Sequence, residues 1–117
     1  MQDYRKIKVW QKSYSLVLDV YRLTETFPKH ELYALTSQIR RAAVSIPSNI
    51  AEGSARGSDA DFARFLDIAI GSAFELECQL MLARDLSYIG EHESEAVMRD
   101  VEELKKMLAA FVKALRR

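Results

Sequence analysis

Apolar residues recur at three- and four-residue steps along almost the whole chain, and short polar or Gly/Pro stretches divide them into four long segments of helical period. The first segment, about Val9 to Thr26, places Trp10, Tyr14, Val17 and Tyr21 on one face with Leu16, Val20, Leu23 and Phe27 beside them, a wide apolar stripe. Phe27-Pro28 ends it, because the residue before a proline is pushed out of the α region. The second segment carries Leu32, Leu35, Ile39, Ala42, Ile46 and Ile50, with Pro47 in its midst. A proline there removes one backbone donor and crowds the carbonyl of Ala43, at a cost of about 3 kcal/mol in an ordinary helix interior. The apolar register nevertheless continues through Pro47, which predicts one kinked helix rather than two short ones.

Gly53 to Gly57 is the next punctuation, and Ser58 with Asp61 three residues on resembles a capping box built with the shorter acid. The third segment runs to about Ser87 with Phe62, Phe65, Leu66, Ala69, Ala73, Leu76, Leu80 and Ala83 as its core stripe, a helix of about 44 Å. Ile89-Gly90 closes it. The fourth, from about Glu93 to Leu115, sets Val97, Val101, Leu104, Leu108, Phe111 and Leu115 at alternating steps of four and three, a heptad seam. Its acidic start (Glu91, Glu93, Glu95) and basic end (Lys113, Arg116, Arg117) suit the helix dipole. The pattern therefore predicts an all-α fold, an antiparallel up-down four-helix bundle with a proline-kinked second helix, as a single domain over residues 1–117.

Composition sets the function classes. With 49% hydrophobic and 29% charged residues the chain has the make-up of a globular domain, and 17 Lys and Arg against 17 Asp and Glu give no overall basic charge to attract nucleic acid. No apolar run approaches a membrane span, so no membrane association is expected. The one cysteine cannot form an internal disulfide and the N-terminal stretch lacks a secretory apolar region, so a cytoplasmic protein is the simplest reading.

Reaction chemistry finds little to hold on to. His30 and His92 both fall in predicted connections, outside any Glu-x-x-His or His-Glu-x-x-His arrangement, so no metal site is expected. Cys78, between acids that would raise its pKa, reads as a small packing residue. Gly53-x-x-x-Gly57 lacks the Lys-Ser or Lys-Thr of a phosphate loop, and no histidine stands near a nucleophile. Neither a cofactor nor a small-molecule substrate is indicated. The alternative enzymatic reading is a polar pocket around Asn49, Glu52 and Glu75.

One polar pattern remains. Gln38, Arg41, Ser45, Asn49 and Glu52 follow one another at steps of three and four along the second helix, beside the small Ala42, Ala43, Ser48 and Ala51. A solvated helix side and a surface for close helix approach both fit this line. The third helix offers small residues in return, Ala69, Gly71, Ser72 and Ala73, followed by Glu75. A mid-helix glycine costs about 1 kcal/mol against alanine, so Gly71 predicts close backbone approach. Glu75 facing Arg41 or Asn49 would form a register-fixing polar network, within a bundle or between subunits.

Several of these segments together resemble one family. Val9-Trp10-Gln11-Lys12, Tyr21-Arg22-Leu23-Thr24, Leu35-Thr36-Ser37-Gln38-Ile39-Arg40-Arg41-Ala42-Ala43 and Ser45-Ile46-Pro47-Ser48-Asn49-Ile50-Ala51-Glu52-Gly53 are similar to proteins encoded in intervening sequences of bacterial large-subunit rRNA genes, sometimes labelled ribosomal proteins. Phe65-Leu66, Ala69, Gly71-Ser72 and Glu75-Leu76 extend the resemblance, which also reaches the accessory variability determinants of diversity-generating retroelements. It implies a four-helix bundle assembled into a homopentamer, and in the retroelement branch binding to a reverse transcriptase and to nucleic acid through basic surface. Here residues 1–30 hold six Lys or Arg against three acids, and residues 58–90 hold two against six. Arg5, Lys6, Lys8 and Lys12 could join Arg40, Arg56 or Arg64 in a local basic patch for RNA or DNA. The resulting expectation is a non-enzymatic oligomeric scaffold, with a direct nucleic-acid-binding module as the alternative.

Overall fold

A computed structural model describes residues 3–117. Four helices account for most of it: α1 (Lys8–Thr24), α2 (Leu35–Ser54), α3 (Asp59–Asp85) and α4 (Glu91–Leu115), with single 3-10 turns at Tyr4–Lys6 and Lys29–Glu31. No strand occurs among the described residues. The helices close around one apolar core in a body of 43 × 23 × 20 Å.

Residue pairs give the helix directions. Along α3 and α4, Asp67 pairs with Arg116 and Glu77 with Lys105. Along α2 and α3, Ser45 meets Ser72, and Gly53 lies against Phe62 and Phe65. Val9 shares a cleft with Phe111, and Leu23 shares one with Val97. In each set one partner advances along the chain while the other retreats, so these neighbours run in opposite directions.

The α1 core stripe is narrower than the pattern of apolar residues suggests. Val9, Ser13, Leu16, Val20 and Thr24 are buried, Trp10 and Val17 lie at the edge, and Tyr14 and Tyr21 are 49% and 42% exposed. A wide stripe cannot point wholly inward, and the amphipathic rings take the rim, where their polar ends stay wet. Trp10 stacks on Tyr14 with centroids 4.8 Å apart. The two hydroxyls that replace apolar groups on this α1 stripe are satisfied locally, Ser13 donating to the Trp10 carbonyl and Thr24 to that of Val20, each at 2.8 Å.

Helix α2 runs unbroken through Pro47, which is itself buried. Pro47 lies one and two turns from Ala43 and Arg40 on the stripe that faces α1, where Arg40 reaches Thr24. The ring thus contributes packing at the helix contact where the backbone donor is missing. The helix starts later than the apolar repeat implies, because Leu32 closes the second 3-10 turn and is exposed. Glu31 accepts from the Leu35 backbone N–H at 3.3 Å and from the Tyr88 hydroxyl at 2.8 Å, tying this start to the end of α3.

The α3 core stripe is buried at every expected position. Ser58 caps its start by accepting from the Asp61 N–H at 3.1 Å, while the Asp61 carboxylate turns to Arg64 at 3.2 Å, so the box is half made. On α4, Val97, Val101, Leu104 and Leu108 are buried, but the stripe ends on Val112, with Phe111 and Leu115 only half-buried. A straight helix drifts about 20° per heptad against a strict seven-residue repeat, which carries the last positions off centre. Phe111 meets Phe62 edge to face at 5.2 Å. His92 sits in the first turn of α4, not in a connection.

Candidate functional site

The polar line of α2 divides by depth. Ser45 Oγ and Ser72 Oγ are 2.8 Å apart across the α2–α3 contact, and Asn49 Nδ2 donates to the Ser45 carbonyl at 2.8 Å and to its Oγ at 3.0 Å. The Ser45–Ser72 pair fastens α2 to α3, and Asn49 braces Ser45 from within α2. Glu52 turns along its own helix to Arg56 at 2.9 Å. Gln38 and Arg41 are exposed, and among the described residues their side chains make no hydrogen bond or ion pair. Glu75 is exposed and unpaired in the same sense. The network of Glu75 with Arg41 or Asn49 therefore does not form within the chain, although Arg41 and Glu75 lie near one level on neighbouring helices.

Two further expectations are not met within the chain on the same surface. Nothing lies within 4 Å of the place a Gly71 Cβ would occupy, so no close backbone approach within the chain explains that glycine. Cys78 is exposed rather than packed. Both belong to an outward ridge of α3 formed by Ile68, Gly71, Glu75, Cys78, Leu82 and Leu86, all exposed. Their spacing of three and four residues keeps them on one side of the helix, away from the buried Ala69, Ala73, Leu76 and Leu80.

A second surface lies outside α1 and α2. Tyr21, Leu32, Tyr33, Ser37, Arg40, Arg41, Val44 and Ser45 line an open groove of about 600 Å³. Tyr33 is 93% exposed at its mouth. Arg40 is held in place, its Nε donating to Thr24 Oγ1 at 2.9 Å and its guanidinium lying 4.6 Å over the Tyr21 ring. Of the apolar members, Tyr33 and Val44 fall between the steps of the core register, whereas Tyr21 and Leu32 are counted in the apolar stripes by periodicity and are exposed in the structure.

Several charges of the expected basic patch are engaged by acids of the same chain. Arg5 is paired with Asp3 at 3.0 Å and holds its carboxyl below the usual range, and Lys12 lies between Asp100 and Glu103 at 3.7 and 3.4 Å. Arg56 and Arg64 both cover Phe65 at 4.6 Å while pairing with Glu52 and Asp61. The side chains of Lys6 and Lys8, alone of the seven, make no ion pair or hydrogen bond among the described residues. Arg40 lies in the first half of α2, whereas Arg56 follows the end of that helix at Ser54. Elsewhere Lys105 bridges Glu77 and Glu102 at 2.9 and 3.0 Å over the Phe74 ring, and the Glu77 hydrogen bond raises its pKa.

No group of three or more His, Cys, Asp and Glu stands together to hold a metal among the described residues, and no helix there is long and apolar enough to cross a membrane. The surface offers guanidinium groups, aromatic rings and apolar ridges, which are means of recognition.

Four helices around one core, with a polar lock between the second and third, define a small all-helical bundle protein. The chain belongs to the 23S rRNA-intervening sequence protein family, whose model matches residues 5–110. It is also similar to the crystal structure of a protein of unknown function from the S23 ribosomal protein family of Bacteroides thetaiotaomicron, at 30% identity and a TM-score of 0.81, over 90% of this chain and 98% of that one. No curated protein matches the chain.

Proposed function

We propose that the protein is a non-enzymatic, self-assembling helical-bundle scaffold. The observation that carries this reading is the distribution of exposed apolar groups. Among the described residues twelve large hydrophobic side chains are well exposed, from Tyr33 at 93% to Tyr4 at 36%, and all of these lie on α1, α2, α3 or the segments between and beside them. The outer side of α4 carries none. Exposed apolar side chains gathered on some elements and absent from another favour association through the elements that carry them. A body with three sticky helices and one polar helix suits an assembly in which α4 faces water. The family resemblance suggests a homopentamer. Light scattering at micromolar concentration is expected to give five times the chain mass of 13.4 kDa, and a monomeric mass overturns the reading.

A second reading adds RNA, DNA or a nucleic-acid enzyme such as a reverse transcriptase as the scaffold's partner. Lys6 and Lys8 favour it, because neither charge is neutralised by an acid of the chain. Ring repetition would multiply such a weak site. Titration of structured RNA at two salt concentrations is expected to show binding that weakens with salt, and no binding at low salt removes this partner.

A further inference from the structure

We infer that the assembly contact is head to tail, the outer α3 ridge of one copy seating in the α1/α2 groove of the next with Glu75 reaching Arg41. The inference rests on the proposed self-assembly and names its two halves. The groove has Arg40 and Arg41 as its charged lining, and neither has a carboxylate partner among the described residues. The ridge has one charged member, Glu75, and it is likewise unpaired. Ile68, Glu75 and Leu82 recur every seven residues, so an apolar side chain stands about 10 Å to either side of the carboxylate. The groove likewise combines its guanidinium groups with the apolar Tyr21, Leu32 and Val44.

Gly71 gains a reason from this arrangement. A mid-helix glycine lowers helix stability, yet a Cβ at position 71 would meet no atom of the chain within 4 Å. The missing side chain lets a neighbouring helix approach the ridge one turn from Glu75. Because groove and ridge are different surfaces, the contact is heterologous, and heterologous contacts close into rings when the rotation permits.

Charge reversal tests the pairing. R41E and E75R are expected to run as folded monomers where the unaltered protein is assembled, with helical circular dichroism unchanged because both sites are exposed. Mixed in equal amounts, the two variants restore opposite charges at every R41E–E75R contact. Native mass spectrometry is then expected to show assemblies containing both. Single variants that keep the unaltered mass, or a mixture of folded variants that stays monomeric, overturn the pairing and leave self-assembly standing. An unaltered protein that is itself monomeric overturns both. Recovery on mixing also separates this contact from an Arg41–Glu75 pair within one chain, which mixing cannot repair.

Discussion

The hydroxyls of Ser45 on α2 and Ser72 on α3 are 2.8 Å apart, a bond between two small side chains at the most closely packed helix pair in the molecule. Small residues let the backbones approach, and the hydroxyls then satisfy one another where water has limited access. Either Ser45→Ala or Ser72→Ala is expected to lower unfolding stability by about 1 kcal/mol, with the double variant losing less than the sum. Urea denaturation of the four proteins in that cycle measures the coupling, and strict additivity would show that the bond contributes nothing.

Asn49 extends the same lock down α2. Its amide donates twice to Ser45, so truncation leaves the Ser45 carbonyl and hydroxyl with one partner fewer. Asn49→Ala is expected to cost about 1 kcal/mol and to loosen the α2–α3 contact on which the outer surfaces depend. An unchanged Tm together with unchanged particle mass refutes that role.

Two glycines make opposite predictions. A Cβ on Gly53 would lie 2.8 Å from both Phe62 Cδ1 and Phe65 Cβ, so Gly53→Ala must push the start of α3 outward, at a cost of about 1–3 kcal/mol. Gly71 has open space around it, and Gly71→Ala is expected to stabilise an isolated chain by up to about 1 kcal/mol through helix propensity. Carrying both substitutions on the R41E background separates folding from assembly, because ligand-like association also shifts apparent stability. Equal effects at the two sites would contradict the packing described.

How much of this was legible in the sequence follows from which signals are local. The four helices, the unbroken register through Pro47, the Ser58 cap and the whole α3 stripe each depend on near neighbours in the chain, and the structure has them. Where apolar residues exceed what one helix face can bury, periodicity does not say which are core. Tyr14 and Tyr21 therefore moved to the rim, and Val112 replaced Phe111 at the centre. The candidate site was half visible for the same reason. The Ser45–Asn49 step predicted a polar line, but its partner on α3 is Ser72 rather than Glu75, a choice made by helix rotation. The groove lay hidden because Leu32, Tyr33 and Arg41 come together only once the turn before α2 folds back on α1.

The join between the start of α2 and the end of α3 gives the molecule an alkaline limit. Tyr88 donates its hydroxyl to Glu31 at 2.8 Å, and this bond to a carboxylate raises the phenol pKa above its ordinary value of 10.0. A folded-state pKa above the unfolded one means the protonated tyrosine favours the fold. That contribution is complete below about pH 10 and is lost as pH rises through the folded value. Lys105 acts in the same direction, since Glu77 and Glu102 stabilise its ammonium and raise its pKa. These two groups should thus leave Tm level from about pH 7 to pH 9 and lower it above about pH 10. Tyr88→Phe removes the bond at neutral pH and the titration at high pH, so its Tm starts lower and falls less steeply. Lys105→Met should flatten the remaining slope further. A Tyr88→Phe variant whose Tm falls as steeply as that of the unaltered protein would mean that the Tyr88–Glu31 bond does not join these two helices.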